Sequence, residues 1–246
     1  MKKYGLIGYP LGHSFSKQFF TEKFEREGID AQYLNFEMPT INHLFLILEH
    51  HPELCGLNIT IPYKQQVISL LDDLSDEARE IGAVNVVRIT RDEKKVYLKG
   101  FNSDAVGFTR SIQPLLKASH RKALVLGTGG ASKAVIYGLH QLGIETMYVS
   151  RTEKPNRFTY EAITPEIITE FPVIVNCSPC GMYPHVEEYP ALPYEAMTKN
   201  NLLYDLVYNP DTTLFMKKGA QHGATTKNGL EMLHLQAKAS WEFWNK

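Results

Sequence analysis

The sequence lacks a long apolar run and has no excess of charge of either sign. No stretch approaches the ~20 apolar residues that span a bilayer, and glycine and proline break the opening MKKYGLIGYP, which excludes a signal-like core. The 26 basic and 27 acidic residues leave a net charge of −1, so no basic field attracts nucleic acid or an anionic membrane. We therefore expect a cytoplasmic protein with no nucleic-acid or membrane partner.

Cysteine is scarce as well. The three cysteines, Cys55, Cys177 and Cys180, are too few for a disulfide framework. Cys177 and Cys180 have the spacing of a redox pair or of half a zinc site, but a lone CxxC is a weak pattern and a second ligand pair is not evident. We predict no metal site, and a loop at residues 181–184.

Short apolar strands alternate with amphipathic helical stretches along most of the 246 residues, which is typical of mostly parallel sheets covered by helices. The pattern restarts after residue 102. We predict an α/β fold with two domains, an open, mostly parallel sheet formed by 1–102 with 227–246 and a Rossmann-type domain formed by 103–226, with the C-terminal helices returning to the first domain. The predicted strands are 4–8, 32–38, 57–61, 83–87, 97–101, 123–126, 147–149, 173–175 and 202–207, and the predicted helices are 16–27, 41–50, 64–74, 104–116, one ending at 142, and 230–244.

A glycine-rich loop joins one buried strand to the following helix. The loop reads Gly127, Thr128, Gly129, Gly130, Ala131 and Ser132. Glycines allow a tight turn and bring backbone N–H groups close to a pyrophosphate, and the new helix adds its positive end. Ser132 stands in place of the third glycine, so the fingerprint is a variant. The alternative is a tight turn that binds no ligand.

The end of the next strand indicates which dinucleotide would bind. An NAD site usually offers an acidic side chain there to the ribose hydroxyls. Here the strand ends in Ser150, Arg151 and Thr152, with Lys154 beyond. A guanidinium binds a phosphate in fork geometry, whereas a carboxylate would repel it. The pattern favours NADP, with an exposed loop arginine as the alternative.

The first domain carries polar residues in short pieces at strand ends and loops. In GLNITIPYK, Leu57, Ile59 and Ile61 alternate with polar residues, and Pro62 ends the strand before Lys64. Ligands of open parallel sheets lie at the carboxyl ends of strands, where such residues converge. Singly, each has a structural alternative: a serine can cap a helix, a lysine can be solvated, and an aspartate can be stabilised by a helix dipole. The four pieces are 12–16, 58–64, 82–85 and 100–104.

Over almost its whole length, the chain resembles shikimate dehydrogenase. The resemblance rests on motifs in the family's order: Ser14-x-Ser16, Asn58-Ile-Thr60-Ile-Pro-Tyr-Lys64, Gly82-Ala-Val-Asn85, Gly100-Phe-Asn-Ser-Asp104, Gly127-Thr-Gly-Gly-Ala-Ser132, Arg151-Thr152, Asn176-Cys-Ser-Pro-Cys-Gly-Met182, Tyr204-Asp-Leu-Val-Tyr208-Asn-Pro210 and Gly229-Leu-Glu-Met-Leu-His-Leu-Gln236. It implies a reversible, NADPH-dependent reduction of 3-dehydroshikimate to shikimate, in the chorismate route to the aromatic amino acids. It is compatible with a monomer or a homodimer acting on a small molecule.

The resemblance also implies roles for individual residues. Lys64 and Asp104 correspond to the catalytic pair. The implied substrate ligands are Ser14, Ser16 and Tyr208 near the carboxylate, and Asn58, Thr60, Asn85 and Gln236 at the ring hydroxyls or as supports of that site. The implied cofactor ligands are the loop 127–132, Ser150, Arg151, Thr152 and Lys154, with Leu206 and Gly229 lining the nicotinamide.

The chain departs from the family pattern at several positions. After Ser16 the family usually has Pro-x-x-His-Asn, where this chain has Lys17 to Thr21, and Pro155 replaces a second loop arginine. These departures bear on cofactor affinity and on the helix after Ser16 more than on the reaction. Two alternatives stay open: a paralogue acting on quinate or a related cyclitol acid, with NADP or NAD, and a non-catalytic NADP-binding sensor.

Overall fold

The computed structural model describes residues 1–11, 15–93 and 95–246. The chain divides into two compact units, Met1–Ser103 with Ala237–Lys246, and Asp104–Gln236. Each unit is built on a six-stranded sheet with helices against it, so the predicted α/β class with two domains is confirmed. No helix within the described ranges is long and apolar enough to cross a membrane.

The sheet of the first unit mixes parallel and antiparallel strands in the order β2-β1-β3-β5-β6-β4. β1 is parallel to β2 and β3, whereas β5 runs antiparallel to both β3 and β6. The strands are β1 (Lys2–Gly8), β2 (Ala31–Glu37), β3 (Leu54–Ile59), β4 (Asp73–Leu74), β5 (Val86–Arg91) and β6 (Val96–Phe101), and the helices are α1 (Phe15–Glu27), α2 (Leu44–His50) and α3 (Asp76–Ile81).

The direction of β5 brings three polar segments of the sequence together. Because β5 is antiparallel to its neighbours, its first residue, Val86, pairs with Asn58 near the end of β3 and with Phe101 at the end of β6. Asn85 precedes Val86, and Asn102 follows Phe101. The polar residues of 58–64, 82–85 and 100–103 therefore meet at one end of these strands.

The prediction of a helix over 64–74 is wrong. The structure has a 3₁₀ turn at Gln66–Leu70 followed by the short strand β4, which pairs in parallel with β6. Asp72 sets this arrangement, because its backbone N–H bonds to the Leu98 carbonyl at 3.0 Å and its carboxylate accepts from the Leu98 N–H at 2.8 Å. The apolar residues of the segment still face inward: Val67 is fully buried and Leu70 packs against the core.

The sheet of the second unit is entirely parallel, in the order β12-β11-β10-β7-β8-β9. Its strands are β7 (Lys122–Leu126), β8 (Glu145–Ser150), β9 (Arg157–Thr159), β10 (Val173–Asn176), β11 (Leu202–Asp205) and β12 (Thr225–Lys227). The remaining helices are α4 (Ser103–Ile112), α5 (Gly130–Gln141), α6 (Pro165–Glu170), α7 (Leu214–Gln221) and α8 (Leu230–Trp244). The order reverses between β7 and β10, and in open α/β sheets ligands bind at such a switch point.

Helix α8 contributes to both units along its length. Its last residues belong to the first unit, where Trp244 packs with Tyr4 and Phe20 and its indole N–H donates to the Val87 carbonyl at 3.1 Å. A β-carbon at Gly56 would collide with the Trp244 ring, so β3 needs glycine at this crossing. The predicted return of the C-terminal helix to the first sheet is what the structure shows.

Candidate active site

The glycine-rich loop forms a tight turn at the switch point of the second sheet. Gly127 has a φ of +100°, a conformation that favours glycine, and its N–H donates to the Val149 carbonyl at 3.0 Å. Gly129 caps helix α5, and no atom lies within 4 Å of the position that a β-carbon would take there. The N-terminus of α5 is therefore open on the side to which a β-carbon of Gly129 would point, which leaves room for an approaching pyrophosphate.

Ser132 closes this turn from the inside. Its side chain is fully buried, and its hydroxyl donates to the Gly129 carbonyl at 2.7 Å. The residue that replaces the third glycine of the fingerprint thus holds the loop in shape with its own side chain. Thr128 and Gly129 are exposed.

Arg151 follows directly after β8 and is exposed, as are Thr152 and Lys154. Ser150 is buried, and its hydroxyl donates to the Thr152 carbonyl at 2.6 Å, which closes the turn that carries Arg151. The end of β8 therefore presents a cation and a hydroxyl, a set that matches a ribose phosphate better than a pair of ribose hydroxyls.

Two residues near this strand end were not predicted from the sequence. Strand β9 pairs Arg157 with Tyr148 of β8, and the guanidinium stacks 5.3 Å above the Tyr148 ring. Tyr160 follows β9, and burial raises its pKa to about 12, while the nearby Arg151 charge acts to lower it. The short Arg-Phe-Thr strand gave little signal, because three residues hardly establish an alternation.

The loops that follow β10 and β11 are joined by a buried carboxylate. Asp205 is fully buried and accepts hydrogen bonds from the Asn176 amide at 3.0 Å, the Val207 N–H at 3.0 Å and the Thr213 hydroxyl at 2.6 Å. Burial raises the pKa of Asp205 to about 6, although the three hydrogen bonds act to lower it. Asn176 in turn accepts from the Ser178 hydroxyl at 2.6 Å.

The same network places Leu206 and Gly229 side by side. The Leu206 N–H donates to the Asn176 carbonyl at 2.9 Å, and a β-carbon at Gly229 would overlap the Leu206 carbonyl. Tyr208 lies two residues further on and is 39% exposed. The two residues expected at the nicotinamide thus contact each other beside the switch point.

The CxxC sequence does not have the surroundings of a thiolate site. Burial raises the pKa of Cys177 well above its usual value and also raises that of Cys180, so both thiols keep their protons at neutral pH. Among the described residues, no group of three or more histidine, cysteine or acidic side chains could hold a metal ion.

In the first unit, Asn58 and Asn85 lie next to each other and are nearly buried, at 9% and 4% exposure. The Asn58 amide donates to the Asn85 carbonyl at 3.3 Å, and the Asn85 carboxamide oxygen accepts from the Ser103 N–H at 2.7 Å. Two further residues that the sequence did not indicate complete this group. The Tyr33 hydroxyl donates to Asn58 at 2.8 Å, and Ser240 accepts from Asn58 at 3.0 Å.

Lys64 is half-buried at the same end of the strands of the first sheet. Its backbone carbonyl accepts from the Val84 N–H at 2.7 Å, which fixes the lysine beside the residues that precede β5. Thr60 is also half-buried, and its N–H donates to the Ile7 carbonyl at 2.9 Å at the end of β1. The polar face of GLNITIPYK therefore follows the ends of two neighbouring strands.

The other expected substrate residues are distributed over both units. Ser16 lies in the first unit and hydrogen-bonds to Tyr33, which connects it to Asn58. Ser14 lies outside the described residues. Asp104 is 2% exposed in the first turn of α4, where the helix dipole stabilises a carboxylate, and Gln236 is half-buried on α8. Asp104, Tyr208 and Gln236 belong to the second unit.

Comparison with a family model and with curated proteins identifies the shikimate dehydrogenases. Residues 6–87 match the model of the shikimate dehydrogenase substrate binding domain. The curated shikimate dehydrogenase (NADP(+)) of Caldicellulosiruptor saccharolyticus is 33% identical, over 99% of this chain and 92% of that protein.

Solved structures give the same result. A chorismate mutase/shikimate 5-dehydrogenase fusion protein from Clostridium acetobutylicum superimposes with a TM-score of 0.86 at 35% identity, covering 99% of this chain and 91% of that one. The shikimate 5-dehydrogenase from Thermus thermophilus, solved with NADP(H) and shikimate, superimposes with a TM-score of 0.85 at 29% identity, covering 99% and 93%.

Proposed function

The chain belongs to the shikimate dehydrogenase family, and from this premise we propose which of its residues perform the reaction. The enzyme is an NADP-dependent oxidoreductase that acts on a CH–OH group and interconverts 3-dehydroshikimate and shikimate. The observation that carries this function is the 33% identity to a curated member over 99% of the chain. We propose that the first unit binds the substrate and that the second binds NADP.

The second unit has the features that NADPH requires. The open space at Gly129 admits a pyrophosphate to the N-terminus of α5, and Arg151 offers a fork of donors to the ribose phosphate. Leu206 and Gly229 would line the nicotinamide. When bound, NADPH supplies the hydride. The proposed ligands are residues 127–132, Ser150, Arg151, Thr152, Lys154, Leu206 and Gly229.

Lys64 and Asp104 are the proposed catalytic pair. Hydride addition to the ketone carbon leaves negative charge on the oxygen, which needs a proton as the charge develops. The Lys64 ammonium donates that proton, and the Asp104 carboxylate orients the ammonium. In the reverse direction Lys64 accepts the hydroxyl proton. The ketone thus gains a hydride and a proton and becomes an alcohol, and the cofactor is left oxidised.

The remaining polar residues suit a small polyhydroxylated acid. Ser14, Ser16 and Tyr208 are the proposed partners of the carboxylate, and Asn58, Thr60, Asn85 and Gln236 the proposed partners or supports of the ring hydroxyls. A site that hydrogen-bonds each hydroxyl rejects analogues that leave its own buried groups unpaired. We also propose that the enzyme works in the cytoplasm as a monomer or a homodimer.

Absorbance at the nicotinamide band tests the function. Purified protein is mixed with shikimate or quinate, each with NADP⁺ and with NAD⁺. We expect the fastest reduction with shikimate and NADP⁺. Faster turnover of quinate would make the protein a cyclitol-acid paralogue. NADP⁺ binding without turnover of either acid would favour a sensor and contradict the proposal.

A further inference from the structure

The hydrogen bonds of Asn58 fix the orientation of its amide. The Asn85 carbonyl can only accept, so the group that faces it at 3.3 Å must be the Asn58 NH₂. The same NH₂ faces Ser240 Oγ at 3.0 Å, and the Asn58 oxygen faces the Tyr33 hydroxyl at 2.8 Å. Tyr33 therefore donates and Ser240 accepts, and exchanging the amide oxygen and nitrogen would break the contact with Asn85.

This orientation uses both amide hydrogens of Asn58 within the protein. The carboxamide oxygen has two lone pairs, of which the Tyr33 hydroxyl takes one. What Asn58 retains for a ligand is one acceptor site. An acceptor binds a hydroxyl and does not bind a ketone or a carboxylate, so this part of the site distinguishes the oxygen groups of the substrate.

Ser240 and Tyr33 are held rigidly enough to impose the orientation. Ser240 is 1% exposed and lies 3.1 Å from the Ser103 hydroxyl, which also accepts from the Asn85 amide at 3.0 Å. The Tyr33 ring is fully buried and stacks on Phe20 with centroids 4.9 Å apart. Neither side chain can move far without leaving a buried polar group unpaired, which is costly.

We propose that Ser240 and Tyr33 are positioning residues of the substrate site, which hold Asn58 with its donors turned inward so that it recognises a substrate hydroxyl by accepting from it. The proposal rests on the proposed function, because it assigns this wall to the binding of a hydroxylated ring. It adds Tyr33 of strand β2, and Ser240 as a second residue of helix α8 beside Gln236, to the proposed site.

The test compares Ser240→Ala and Asn58→Ala, singly and together, by steady-state kinetics with shikimate and NADP⁺. Ser240→Ala leaves one Asn58 N–H without its acceptor. We expect the loss of the net free energy of this one hydrogen bond to raise the KM for shikimate about threefold to tenfold. We expect the KM for NADP⁺ to stay within about twofold, since Ser240 lies in the other unit from the dinucleotide loop. If Ser240 acts through Asn58, the double variant has the same KM for shikimate as Asn58→Ala alone.

Ser111→Ala is the matched control. Ser111 is 2% exposed and hydrogen-bonded to Glu231 and Tyr204 in the second unit, so its loss removes a similar buried hydroxyl away from Asn58. It should lower the thermal midpoint comparably and leave the KM for shikimate unchanged. Tyr33→Phe keeps the buried ring and serves as the second variant, with the same expected rise in KM, should Ser240→Ala not fold. Because Tyr33 also hydrogen-bonds to Ser16, the rise supports the proposal only if Tyr33→Phe has no further effect on the KM for shikimate in the Asn58→Ala background.

Each other outcome has a definite meaning. An unchanged or lower KM for shikimate in both Ser240→Ala and Tyr33→Phe overturns the proposal, as does an additive double variant. A parallel rise of both KM values also overturns it, because it shows a structural role only. If the unaltered protein does not turn over shikimate at all, the proposed function itself fails.

Discussion

At the scale of single residues, the buried carboxyl of Asp205 makes the stability of the protein depend on pH. The pKa of Asp205 is raised to about 6 by burial, so the folded protein binds this proton more tightly than the unfolded chain does. Folding is therefore favoured by Asp205 below the unfolded pKa, and this contribution is lost as the pH rises through about 6.

Asp205→Asn should remove this pH dependence. Between pH 5 and 7 the free energy of unfolding of the unaltered protein should fall, relative to the variant, by about 1 kcal/mol. Urea unfolding of both proteins at several pH values measures the difference, in which all other titrating groups cancel. A difference that is constant or rises with pH would mean that Asp205 is ionised throughout.

Lys64→Ala should reduce kcat by about 10²–10⁴-fold, the usual value of a general acid. The KM for shikimate should change little, because the proton is needed only as charge develops on the oxygen. Lys99→Ala is the control, since Lys99 is a half-buried lysine of the same unit that pairs with Asp73 at 2.6 Å. Near-normal turnover of Lys64→Ala would remove Lys64 from the mechanism.

Arg151→Ala should raise the KM for NADP⁺ and leave the KM for NAD⁺ unchanged. The lost charge-assisted hydrogen bonds to a phosphate correspond to roughly 10-fold to 100-fold. Arg121→Ala, which removes another exposed arginine of the second unit, should affect neither. Equal losses with both cofactors would show that Arg151 does not read the phosphate.

At this scale, sequence reasoning selected residues that belong to local motifs, and it missed hydrogen-bond partners that are distant in the chain. Asn58 and Asn85 were identified, but Ser240 lies 182 positions from Asn58, and nothing local to Ser240 signals that contact. Tyr33 was interpreted only as a strand residue. A fully buried phenol reveals its hydrogen bond in the structure alone.

At the scale of elements, periodicity predicted most strands and the long helices. Helix α8 begins and ends where it was expected, because fifteen residues display several turns of the pattern. The prediction for segment 64–74 failed because its apolar residues fit a helical period, whereas one backbone hydrogen bond and one carboxylate hydrogen bond join Asp72 to Leu98 beside the sheet. The short elements β9, β12, α3, α6 and α7 were too short or too weakly patterned to be found.

Helices α4 and α8 cross closely at Gly107, and this contact gives a stability prediction. A β-carbon there would lie 2.7 Å from the Met232 carbonyl oxygen and 3.0 Å from the Gln236 backbone nitrogen. Gly107→Ala should therefore destabilise the protein by about 1–3 kcal/mol despite the better helix propensity of alanine. Chemical denaturation measures it, and an unchanged or higher stability would show that the helices separate easily.

At the scale of the whole molecule, hydrogen exchange tests directly whether the first unit binds shikimate and the second unit binds NADP⁺. The first N–H groups of α5 have no partner within the helix, so they exchange fast until a pyrophosphate accepts from them. NADP⁺ should slow exchange in peptides that cover 127–132, and shikimate alone should slow it in 58–64 and 82–85. Each ligand is added alone, and the exchange pattern with one ligand serves as the control for the pattern with the other. Protection of 58–64, but not of 127–132, by NADP⁺ alone would contradict the assignment of the nucleotide to the second unit.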